Sequence, residues 1–149
     1  RKHTVQLTSR AYLVGSGRLG LTLTDPYDCN VFLIDGGSEA ALVDTGAGYR
    51  PAGLLDSIEG NDEVVIAGCE AHVCLMQTAL GLLRAGRRVW VVALACGSRS
   101  AADHALAMQR LQSAGATLVS SEMVVFEWLR SCRHERFKAV LPLLKTRID

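Results

Sequence analysis

Val64-Val65-Ile66-Ala67-Gly68-Cys69-Glu70-Ala71-His72-Val73-Cys74-Leu75-Met76-Gln77-Thr78-Ala79 is the stretch whose reading decides the fold. Val64 to Ala67 is a short continuous apolar run, the pattern of a strand buried on both faces. Leu75, Met76, Ala79, Leu80 and Leu83 then form an apolar stripe at helical intervals, stopped by Gly86. The pattern repeats downstream. Val89 to Leu94 is a second apolar run, Ser100 is placed to cap a helix carrying Ala107, Leu111 and Ala114 up to Gly115, and Thr117 to Val119 is a third run. Short strands alternating with helix-length amphipathic segments imply parallel βαβ units, so 64–67, 89–94 and 117–119 are expected to be adjacent parallel strands of one sheet. Val124 to Leu129 and Phe137 to Leu144 read as two further helices, the second weakened by Pro142.

Upstream the pattern differs. Tyr12 to Gly15, Asn30 to Asp35 and Ala40 to Asp44 are short apolar runs punctuated by glycines, which predicts an antiparallel meander with a tight hairpin at Gly36-Gly37-Ser38. Pro51 suits a first helical turn, and Leu54, Leu55 and Ile58 continue a helix over about 50–59 that Gly60 ends. The expected fold class is α/β, a three-layer sandwich with an N-terminal antiparallel meander followed by parallel βαβ units. With 149 residues, 49% of them hydrophobic, the chain suffices for one core, so 1–149 is read as a single domain.

Composition excludes some functions. Sixteen basic against fifteen acidic residues leave a formal charge of +1 with no basic run, so no nucleic-acid partner is expected. No apolar stretch approaches the length of a membrane span and Arg1 to Thr8 lacks a leader-like run, so the expectation is a soluble cytoplasmic protein without a membrane partner. The five cysteines, at 29, 69, 74, 96 and 132, are odd in number and scattered, which points to reduced thiols. Cys29, Cys69 and Cys96 adjoin strand-like runs and read as small buried hydrophobes, and Trp90 and Trp128 as core residues. His104 and His134 fall in polar segments expected to be exposed.

Cys74 stands apart. A thiol in the first turn of a helix faces unpaired backbone N–H groups and the positive end of the macrodipole, which favour the nucleophilic thiolate. Donors in that turn, from Cys69, Glu70 and Val73, are the candidates for stabilising the oxyanion formed when the sulfur attacks an amide or imine carbon.

The segment Val65 to Cys74, with Gln77-Thr78-Ala79, Leu82, Gly86, Gly97-Ser98-Arg99-Ser100, Ala107, Arg110-Leu111, Gly115-Ala116, Ser121-Glu122 and Phe137-Lys138, resembles the C-terminal half of isochorismatase-like cysteine hydrolases over about residues 64–145. The resemblance implies a cysteine nucleophile at Cys74 and a cis peptide in the turn at Cys69-Glu70. It also implies an aspartate at the end of a strand and a lysine from a middle strand. Only Asp44, after Ala41-Leu42-Val43, is placed like that aspartate, although a plain turn role fits it too, and only Lys2 precedes Cys74 as a lysine. Leu94 stands where the family usually has an aspartate. The first 60 residues are similar instead to the opening strands of the metallo-β-lactamase fold, through Tyr12-Leu13-Val14-Gly15, Asp25 to Gly37 and Ala41 to Gly46. That family's His-x-His-x-Asp-His motif is replaced by Gly68 to Cys74. A chimera joined between Gly60 and Val64 is the natural inference.

No cofactor is expected. Glu70, His72 and Cys74 are each zinc-ligand types, but one tight turn does not supply a tetrahedral set, so the expectation is no metal. Gly15 to Gly20 matches Gly-x-Gly-x-x-Gly without the strand-turn-helix setting of a dinucleotide site. Ser98-Arg99-Ser100 reads as an N-cap and turn, with an anion site as the alternative. Two functions therefore compete: a cysteine hydrolase of small molecules, weakened by an incomplete catalytic set, and a non-enzymatic chimeric scaffold. Halved parent folds leave sheet faces uncovered, so a homodimer is expected.

Overall fold

The computed structural model describes residues 4–15, 30–37, 39–44 and 56–145. Seven strands form one sheet in sequence order. β1 (Val5–Gln6), β2 (Ala11–Gly15), β3 (Val31–Asp35) and β4 (Glu39–Val43) run antiparallel to their neighbours. β4, β5 (Glu63–Cys69), β6 (Arg88–Gly97) and β7 (Thr117–Val119) are parallel. The meander and the parallel strands thus lie where the apolar runs place them.

After β5 a single π-helical turn, Ala71–Leu75, continues into α1 (Met76–Arg84). α2 (Ala101–Ser113) follows β6 and is capped by Ser100, whose hydroxyl accepts from Asp103 N. After β7 come α3 (Ser121–Leu129) and α4 (Phe137–Lys145), which contains Pro142. In the β3–β4 hairpin Gly36 N donates to Glu39 O at 2.9 Å and Gly37 N donates to Asp35 Oδ1 at 2.9 Å, while Ser38 lies outside the described residues. The helix expected over 50–59 is represented only by Asp56 and Ser57, followed by a turn; its earlier part lies outside the described residues, as do Cys29 and 16–20 of the glycine-rich match.

The main core is on one face of the sheet. Ala79 and Leu82 of α1 and Ala107 and Leu111 of α2 pack with Ile58 against Leu33, Leu42, Ile66 and Val91. This sidedness follows from topology: right-handed crossovers that always step the same way along a sheet deposit their helices on one face. Among the described residues α3 covers the other face, where Val124 packs with Val92 and Val119 against Val65, Ala67 and Trp90. Phe32, Ile34 and Val43 on that face stay 36%, 41% and 44% exposed, and α4 buries no residue. Trp90 is half-buried and packs against that second cluster, whereas Trp128 on α3 is 43% exposed and is not the core residue expected. Cys69 is exposed at the end of β5 rather than buried, whereas Cys96 is buried. His104 is half-buried, its Nε2 lying 3.1 Å from Ala93 O.

Candidate active site

The site is assembled at the carboxyl edge of β4, β5 and β6, the edge at which open α/β sheets hold ligands. β5 must end abruptly for the chain to turn back into the π turn. Gly68 makes this possible: it has φ +138°, and a Cβ there would lie 2.8 Å from Asp44 Cα and 3.0 Å from Asp44 N. Asp44 has φ 62°, a left-handed conformation that aspartate tolerates, and its N–H donates to Ala67 O at 2.9 Å. The peptide between Cys69 and Glu70 is cis, at the turn to which the resemblance assigned it.

Cys74 sits on the π turn, half-buried, between the buried Ala71 and Leu75. Single π turns recur at functional sites. Glu70 O accepts from Val73 N at 3.1 Å and from Leu75 N at 3.3 Å, so the Val73 N–H, named above as an oxyanion donor, already has a partner. Cys69 Sγ packs on the α-carbon of Gly97, where a Cβ would meet it at 2.9 Å. Burial pushes the Cys96 thiol up from 9.0 to about 11, its hydrogen bond with Gly68 opposing the shift and the Cys69 thiol adding to it. Cys96 Sγ donates to Val92 O at 3.2 Å, and the sulfur is a buried structural group.

Beside the cysteines lies a polar network that sequence reasoning treated only piecemeal. His72 Nδ1 is 3.0 Å from Ser98 Oγ and 3.6 Å from Glu70 Oε2, and its Nε2 is 3.9 Å from Asp103 Oδ2. Arg99 Nε lies 3.2 Å from Glu70 Oε2, off the line of a hydrogen bond, so that buried oxygen is held by charge alone. In the sequence Glu70, His72 and Cys74 are zinc-ligand types, and Ser98-Arg99-Ser100 reads as a cap or an anion site. The tertiary fold joins Glu70, His72, Ser98 and Arg99 into one cluster that ties the π turn to the start of α2. Among the described residues no group of three His, Cys, Asp or Glu is arranged to hold a metal ion. The same edge of the sheet therefore carries Asp44, Cys69, Glu70, Cys74 and Ser98: two carboxylates, two thiols and a hydroxyl.

Comparison with known proteins places part of the chain beside isochorismatase-like proteins. The family model "Isochorismatase domain" matches residues 53–123, beginning upstream of Val64. Isochorismatase domain-containing protein 2 of Xenopus laevis is 41% identical over 90 residues, which is 60% of this chain and 44% of that protein. Among solved structures, MAR1 ribonuclease from Caenorhabditis elegans aligns with TM-score 0.60 and 36% identity over 63% of this chain and 49% of that one. YcaC from Pseudomonas aeruginosa with hexane-2,5-diol and covalent acrylamide aligns with TM-score 0.57 and 30% identity, over 60% of this chain and 46% of that one. The chain spans less than half the length of these relatives, and the part that matches is isochorismatase-like. No described helix is long and apolar enough to cross a membrane.

Proposed function

We propose that this chain is an isochorismatase-like cysteine hydrolase fragment with Cys74 as nucleophile and Asp44 as candidate base, and with low turnover on small amides, imines or esters. The observation that supports it is the placement of Cys74 on the π turn directly after the Cys69-Glu70 turn, at the carboxyl edge of the parallel strands. In this reading Asp44 takes the thiol proton as sulfur attacks the acyl carbon, returns it to the leaving group as that bond breaks, and water then hydrolyses the thioester. The second reading is a non-enzymatic chimeric scaffold whose first 60 residues are metallo-β-lactamase-like; the isochorismatase match that begins at residue 53, before the expected junction, speaks against it. In either reading a second copy covers the open patch at Phe32, Ile34 and Val43, making a homodimer in the cytoplasm.

Acrylamide and p-nitrophenyl acetate test the enzyme reading. Peptide mapping should show acrylamide on Cys74 before Cys132, and release of p-nitrophenol should fall to background in Cys74→Ala. Equal hydrolysis by Cys74→Ala, or labelling of Cys69 and Cys132 ahead of Cys74, leaves the scaffold. A structural relative is described as a ribonuclease, so an RNA oligonucleotide forms a third arm. Cleavage lost in Cys74→Ala would move the substrate class to RNA.

A further inference from the structure

A cavity lies away from the cysteines, on the sheet face that α3 covers. Its volume is about 160 Å³, and it is lined by Glu39, Glu63, Val65, Trp90, Val124, Glu127 and Trp128. An apolar cavity of about 150 Å³ holds a benzene-sized guest, so this one admits a small organic group. The chemistry of the wall decides which. Val65 and Val124 are apolar, and both of the chain's tryptophans face the cavity. Three carboxylates complete it. Glu39 and Glu63 stand opposite each other in register on β4 and β5, an arrangement of like charges that is unfavourable without a cation. Glu63 is shared: one oxygen pairs with Arg88, and the other accepts from Trp90 Nε1 at 3.0 Å, which turns the indole and fixes its plane. Glu39 has Arg130 at 3.9 Å, an arginine 82% exposed. Glu127 has no ion-pair partner among the described residues.

We propose that this pocket binds a small organic cation, an alkylammonium head held between Trp90 and Trp128 and faced by Glu127, Glu39 and Glu63. Indole faces attract such a cation through their quadrupole, and removal of water strengthens the attraction. A neutral guest would gain the apolar contact without the charge, and an anion would meet Glu127, the carboxylate of the three with no arginine beside it among the described residues. The site uses the amino ends of β4 and β5, opposite to the edge that carries Cys74, so it does not depend on the hydrolase reading. It also lies away from the Phe32 and Val43 patch, at the other ends of β3 and β4.

Because Trp90 and Trp128 are the chain's two tryptophans, intrinsic fluorescence reads the pocket directly. Titration with tetramethylammonium chloride should give a saturable change that sodium chloride at equal ionic strength does not. Glu127→Gln and Trp128→Leu, both at exposed positions and expected to keep the wild-type melting curve, should each weaken binding about fivefold or more. Glu122→Gln, on the same helix but outside the cavity, should leave binding unchanged, as should Cys74→Ala. An unsaturable response, equal binding of neutral tert-butanol, or wild-type affinity in Glu127→Gln would overturn the proposal.

Discussion

Cys96 shows how one buried group writes itself into the pH dependence of stability. Its thiol titrates at about 11 in the folded chain against 9.0 ordinarily, so the folded state holds its proton where the unfolded state has released it. The sign follows: stability is unaffected below pH 9, then falls as pH rises from 9 towards 11, at up to about 1.4 kcal/mol per pH unit. Urea unfolding at pH 8, 9 and 10 should show a steeper loss in the wild type than in Cys96→Ala, which starts less stable but lacks this slope. Equal slopes would mean that the thiol ionises as freely folded as unfolded. The cysteines also show the limit of local reading. Cys69 and Cys96 both adjoin apolar runs, and tertiary packing separates the buried Cys96, which joins the core beneath α2, from the exposed Cys69.

α2 carries the clearest local signal among the elements. Ser100 has extended backbone angles and its Oγ accepts from Asp103 N at 3.3 Å, while Ala107 and Leu111 turn inward. Ser100→Ala should cost about 1 kcal/mol, seen as a lower urea midpoint at unchanged slope. A cost near zero would show that Asp103 and the first-turn amides are satisfied by water. This cap was legible in sequence because its two partners are three residues apart. The π turn was not, since a helical stripe through Leu75, Met76 and Ala79 fits an α-helix equally well. The wider turn is closed locally, Glu70 O receiving Val73 N and Leu75 N, and tied down from a distance, the Glu70 side chain meeting Arg99 just after β6.

Across the whole molecule, a sheet ordered from β1 to β7 without a reversal collects its crossover helices on one face. The open patch at Phe32, Ile34 and Val43 is the consequence. Light scattering at tens of micromolar should find a particle larger than the 16.0 kDa monomer, and Phe32→Ser with Val43→Ser should shift it towards monomer. A monodisperse monomer in the unmutated chain would show that the exposed patch is tolerated in water. The sequence by itself determined the strands β2 to β7, the helices that follow them and the place of Cys74 at a strand-to-helix turn, because these rest on periodicity, caps and glycines within a few residues of one another. Only the tertiary structure decided that Trp128 is exposed, that Cys69 differs from Cys96, and that His72 meets Ser98 and Asp103. Those outcomes depend on which strand lies beside which and on which face each crossover falls, and contacts across some thirty residues leave no trace in the local pattern.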